Sequence, residues 1–289
     1  MLRTSPIDGF RLAYERTGSG PGVVLLHGWP GDHADYRRVV PLLGGHADVV
    51  VPDLRGFGES DRHARPPAEA YSAAAQARSV AGLIEELGLA PAVIAGYDVG
   101  SRVAQTIARG RPDLVHELVI SPPLPGAGER VLTEAAQREF WYQPFHQLPL
   151  VEQLIDGDAS AVRVYLSHFW SHWSGPAFDQ PDADLDRLAA LYGAPGALAA
   201  SVAWYRAGSG TVATSLRELT ADPPERIAAP TSVLWPELDP LFPLEWSDRI
   251  ADHFADAALI EIDGVGHFVP LEAPEAVASA IGAAITAGA

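Results

Sequence analysis

Short runs of consecutive apolar residues recur along this chain, each stopped by glycine, proline or a polar loop residue. They occupy 23–26, 49–51, 92–95 and 118–120, and the strand pattern returns at 231–235 and 258–262. Unbroken runs of this length are expected of strands covered on both faces, as in a parallel sheet. Residues 7–16 alternate more loosely and predict an early hairpin strand, followed by a turn at Gly18, Gly20, Pro21 and Gly22. Between the second and third runs, 72–87 has helical periodicity, with Val80, Leu83, Ile84 and Leu87 on one side and Ala75, Ser79, Gly82 and Glu86 on another. Further helices are predicted at 103–109 and 274–285.

This alternation breaks down between about 126 and 222, where Trp141, Trp170, Trp173 and Trp204 gather four of the seven tryptophans. An aromatic, mostly helical insertion into an α/β fold is the simplest organisation. The expected division is a core of 1–126 and 223–289 carrying a helical cap, or lid, of 127–222.

Composition narrows the chemistry. No cysteine is present, which excludes disulfides, thiol catalysis and thiolate metal sites. All 20 basic residues are arginine, so Schiff-base chemistry, a pyridoxal-linked lysine and a Walker lysine are excluded as well. A net charge of -17 disfavours nucleic acid as a partner, because such binding depends on neutralising phosphates. No apolar stretch is long enough for a spanning helix, and the residues after Met1 lack a signal-peptide core; no membrane insertion and a cytoplasmic location are the expectations.

The run 92–95 leads through Gly96-Tyr97-Asp98-Val99-Gly100 directly into a helix, the context of a nucleophile elbow. Glycines flank a strained central residue where strand and helix pass closely, and the side chain is raised beside a helix N-terminus. Here that residue is aspartate. A carboxylate with an ordinary pKa of about 3.9 is ionised at neutral pH and attacks an electrophilic carbon without a base to remove its proton. Downstream, just beyond the last two predicted strands, stand Asp239 and His267, in the order acid then base. Glu237 is the weaker competitor for the acid. At the end of the first clear strand, His27-Gly28-Trp29-Pro30 places the Trp29 N–H where, with that of Val99, it could form an oxyanion hole.

At these residues the sequence resembles the epoxide hydrolases of the α/β-hydrolase superfamily. The resemblance runs along nearly the whole chain: His27-Gly28-Trp29-Pro30, Asp53-Leu54-Arg55-Gly56-Phe57-Gly58, the Asp98 elbow and Gly266-His267-Phe268. It implies an α/β-hydrolase fold, a mostly parallel sheet flanked by helices with an inserted helical lid. Trp141-Tyr142 with Phe145-His146-Gln147, and Trp204-Tyr205-Arg206, resemble the family's two lid-tyrosine segments. By that resemblance Tyr142 and Tyr205 donate to the epoxide oxygen. Tyr97 should point away from the nucleophile, and Tyr165 lacks the motif. His146, His168 and His172 are read as packing or surface residues, with no metal site.

The implied activity is hydrolysis of a small-molecule epoxide to a vicinal diol by water. It proceeds through an ester on Asp98 and needs no cofactor or metal. A haloalkane or haloacid dehalogenase would use the same aspartate. Haloalkane dehalogenases commonly carry Trp where Val99 stands, and fluoroacetate dehalogenases usually carry Arg there, but Arg102 matches a second arginine of the latter and leaves an acidic substrate open. A helix salt bridge is its plainer role. A noncatalytic ligand-binding α/β-hydrolase is the rival of a different class. Monomer and homodimer are equally compatible with the sequence.

Overall fold

Buried apolar runs separated by helical segments call for crossover connections, which parallel neighbours require. In the computed structural model, which describes residues 1–179, 181–218 and 225–287, eight strands form one sheet. They are β1 (Leu2–Arg3), β2 (Ala13–Gly18), β3 (Gly22–Leu26), β4 (Asp48–Pro52), β5 (Ala92–Gly96), β6 (Val115–Ile120), β7 (Thr231–Pro236) and β8 (Ala257–Ile262). Their spatial order is β1-β2-β4-β3-β5-β6-β7-β8. β1 and β2 pair antiparallel, β2 runs antiparallel to β4, and every later pair is parallel.

Every residue of β3 and β5 is buried, as unbroken apolar runs require. The expected strand 7–16 splits: Ile7 and Phe10 pair across a turn in which Asp8 and Gly9 both have positive φ, and regular pairing starts at Ala13. An Asp-Gly pair favours that turn over extended backbone.

The helix Ala73–Leu87 is capped by Ser72, whose hydroxyl accepts from the Ala75 N–H, and ends at left-handed Gly88. It packs against the helix Val99–Gly110, which also contacts β3, β5 and β6. The latter helix begins four residues earlier than expected, at the elbow itself. The helix Pro274–Ala287 packs against β5 and β6.

Between β6 and β7 the described residues form helices and no strand. The longest, Ala159–Trp173, starts at Asp158, which accepts from the N–H groups of Ser160 and Ala161, and it packs against Asp182–Tyr192. Trp170, Trp173 and Trp204 are buried, whereas Trp141 is exposed. Arg187 pairs with Asp32, and Arg37 with Asp184, across the junction with the sheet-bearing part. The expected boundary at 222/223 and the final residues 288 and 289 lie outside the described residues. Among those described, no helix is long and apolar enough to cross a membrane.

Candidate active site

β5 ends at Gly96, and the chain reverses into the helix Val99–Gly110 through Tyr97 and Asp98, the latter with φ 49 and ψ -120. A non-glycine side chain rarely adopts such a φ, and the surroundings hold it there. A Cβ at position 100 would stand 2.0 Å from the Leu26 carbonyl oxygen, so only glycine lets the helix pass this close to β3. Behind the elbow, the Tyr97 hydroxyl donates to Asp35 Oδ2 at 2.5 Å, which turns this tyrosine away from the nucleophile, as expected. Burial pushes Asp35 up to about 8.

Two loops reach Asp98, and a third, after β7, braces the second through Asp239. The loop after β3 brings the Trp29 N–H to 2.7 Å from Asp98 Oδ1. Buried His27 fixes that loop: its Nδ1 lies 2.8 Å from the Gly28 carbonyl and its Nε2 accepts from the Leu54 N–H at 3.0 Å. Burial lowers His27 below the ordinary histidine range, which keeps one nitrogen free to accept. The Trp29 ring packs beneath the helical insertion against Tyr142, His146 and Phe169, with its own N–H directed to Ser201 Oγ at 3.3 Å. Backbone and ring thus have separate partners.

The loop after β8 supplies His267. Its Nδ1 is 2.8 Å from Asp239 Oδ2, and its Nε2 is 3.5 Å from Asp98 Oδ2. Asp239 is fixed in turn by the Leu241 N–H, which donates to Oδ1 at 2.8 Å. All three side chains are buried. Burial alone would lower His267, but the Asp239 carboxylate, reinforced by the charge of Asp98, outweighs it and raises the imidazole to about 10. At 3.5 Å the contact with Asp98 is too long for a good hydrogen bond, so Asp98 acts on the ring chiefly through charge. The competitor Glu237 is on the surface, accepting from the Gly264 N–H at 2.8 Å.

From the insertion, Tyr142 and Tyr205 line the same cavity as Asp98 and Val99. The two rings lie 5.6 Å apart in an edge-on arrangement. Burial, with the Asp98 charge adding to it, pushes both phenols well above their ordinary range, so they stay protonated as donors. The cavity holds about 30 Å³, room for a water or two.

The structure also places residues that the sequence did not single out. Gln143, next to Tyr142, and Phe242, three residues beyond Asp239, line the cavity together with Trp204 of the second lid-tyrosine segment. Glu272 accepts from the N–H groups of Gly266, Phe268 and Gly175 at 2.8, 3.0 and 2.7 Å, holding the His267 loop against the insertion. Arg102 also faces the cavity, where Glu218 clamps it through two contacts of 2.6 and 3.1 Å. It is a salt bridge, but to a residue far along the chain instead of a helix neighbour.

His146 is buried and bonded to the Tyr165 hydroxyl at 2.8 Å, while His172 pairs with Glu139. One group, Asp32, His33 and Asp53, is spaced to hold a metal ion. Its oxygens already serve Arg187, the His33 ring and backbone N–H groups at 33, 34 and 59. Nothing in that cluster lines the Asp98 cavity.

Residues 21–274 match the family model described as alpha/beta hydrolase fold. Among curated proteins, the chain is 31% identical over 286 residues to the soluble epoxide hydrolase of Corynebacterium sp. (strain C12), covering 94% of this chain and 92% of that one. It is 32% identical over 202 residues to the fluoroacetate dehalogenase of Burkholderia sp., covering 68% and 64%. Among solved structures, it superposes on the ligand-free epoxide hydrolase CorEH with a TM-score of 0.85 at 25% identity, covering 100% of this chain and 99% of that one.

Proposed function

The chain belongs to the α/β-hydrolase fold family, and from that premise we propose that it is an epoxide hydrolase acting through a covalent ester on Asp98. The observation that carries this reading is the meeting of an elbow carboxylate and two protonated phenols, Tyr142 and Tyr205, in one cavity. A carboxylate alone serves any alkylation. Two hydroxyl donors opposite it suit a leaving group that is a strongly basic oxygen and needs a proton. The proposed division of the chain follows: 1–126 and 223–289 carry nucleophile, acid and base, and the cap of 127–222 carries the phenols.

In the first step Asp98 Oδ2 attacks an epoxide carbon, the ring C–O bond breaks, and a tyrosine protonates the departing oxygen. His267, raised to about 10, begins the cycle with a surplus proton. That proton restores the tyrosine. Esterification removes the charge on Asp98, the lesser of the two that raised His267, so the ring, having given up its proton, holds a new one less tightly when a base is required. Neutral His267, oriented by Asp239, then takes a proton from water while the oxygen attacks Asp98 Cγ. The Trp29 N–H, already on Oδ1, and the Val99 N–H stabilise the oxyanion. Collapse breaks the bond to Oδ2, the diol leaves with a proton from the new carboxylic acid, and Asp98 and protonated His267 are regenerated. One epoxide and one water give one diol.

The dehalogenase alternative has the weaker support. With the site closed, Arg102 is neutralised by Glu218, and the Trp29 indole N–H is directed to Ser201, so neither offers an unpaired donor for a halide or a substrate carboxylate. Incubation with styrene oxide and with a halogenated alkane in parallel, beside an Asp98→Ala control, tests the assignment. Diol formed by the parent protein and lost in the control is the expected result. Halide release without diol would overturn it in favour of a dehalogenase.

A further inference from the structure

The cavity at Asp98 has room for a water or two, far less than any epoxide with a side chain, so part of its wall must yield before a substrate can enter. Part of that wall is buried aromatic packing, formed by Phe140, Tyr142, Trp204 and Tyr205. One side is different. Arg102, Trp204 and Gly210 line the reaction cavity and also line a second, outer space of about 290 Å³. Glu218, the partner of Arg102, stands in the outer space alone.

We infer that the Arg102–Glu218 ion pair, with the Trp204 indole and Gly210, is the door between this outer vestibule and the reaction cavity, and that it sets the size of epoxide the enzyme accepts. The inference rests on the reading of Asp98 as the epoxide-opening nucleophile. Three features locate the moving part. The short helix Val212–Arg217 that leads to Glu218 contains no buried residue. It follows Gly208 and Gly210, both at positive φ. Segments with so little buried apolar area open at the lowest free-energy cost. The seal itself is tight: a Cβ on Gly210 would lie 2.9 Å from the Trp204 indole nitrogen. When Glu218 leaves, Arg102 keeps the Leu124 carbonyl as a partner at 3.4 Å, so the guanidinium has a place to stay.

The test narrows the vestibule without touching the reacting groups. Thr106 lines it from the core side and Ala207 from the opposite side, and neither lines the reaction cavity. Thr106→Trp and Ala207→Trp are each assayed for kcat/KM on propylene oxide and styrene oxide, with thermal melts confirming folding; Glu218→Gln, which keeps the shape and removes the charge, is the third variant. Each plug is expected to lower kcat/KM for styrene oxide by about tenfold or more relative to propylene oxide, as restricted passage would. Glu218→Gln is expected to shift the ratio the other way and to flatten its dependence on salt. Diol formation with an unchanged ratio in folded plug variants would overturn the door while leaving the epoxide reading standing. Absence of diol from the parent enzyme would overturn both.

Discussion

Replacing Asp239 by Asn keeps the shape of the triad and removes the charge that holds the His267 proton. In the parent protein His267 sits at about 10, against about 6.5 for an unfolded histidine. A group raised on folding contributes stability that is fully present below the unfolded value and is lost as pH climbs through the folded one. Three to four units correspond to roughly 5 kcal/mol, an order of magnitude only, at a slope of up to about 1.4 kcal/mol per pH unit between pH 6.5 and 10. His33, raised to about 9 against burial by its bond to Asp53, and Asp35, raised to about 8 by burial, also titrate in this window. Both are present in Asp239→Asn, so subtracting the two stability profiles isolates His267. Without Asp239, burial dominates and the ring is neutral at pH 7. The assay is urea unfolding of both proteins at half-unit steps from pH 6 to 10.5. The expected difference is largest near pH 6 and shrinks steadily above 6.5. Parallel curves, offset by a constant, would show that His267 is not held protonated by Asp239 and would refute the charge state from which the proposed cycle starts.

Tyr142→Phe and Tyr205→Phe should each lower diol formation about 100-fold, and the double variant should all but abolish it, because one phenol partly covers for the other; steady-state kinetics on styrene oxide reads this. In Glu272→Gln, an amide NH₂ must face a backbone donor at Phe268, Gly266 or Gly175, leaving a buried N–H unpaired. Urea unfolding at pH 7 should show a loss of about 1–3 kcal/mol. Activity should fall with it, since these bonds hold the His267 loop.

Much of the core was legible because its signals are local. The apolar runs at 23–26 and 92–95 lie inside β3 and β5, and the glycines around Asp98 mark a backbone that only they permit. Chain order placed Asp239 and His267 after their strands, and the structure brings them within hydrogen-bond reach of each other. Family resemblance, not periodicity, pointed to Tyr142 and Tyr205. What escaped detection depends on pairing across long separations: Arg102 with Glu218, 116 residues away, and Gly175 with Glu272, 97 away, leave no trace in any window of sequence. The early strand was overextended because its alternation ignored the turn that Asp8 and Gly9 make.

The central claim, a covalent ester on Asp98, is tested most directly by intact-mass and peptide analysis of His267→Gln after incubation with styrene oxide. The expected result is a gain equal to the mass of the epoxide, confined to the peptide containing Asp98 and missing when Asp98→Asn is added. An unmodified His267→Gln protein, under conditions in which the parent enzyme forms diol, would contradict it.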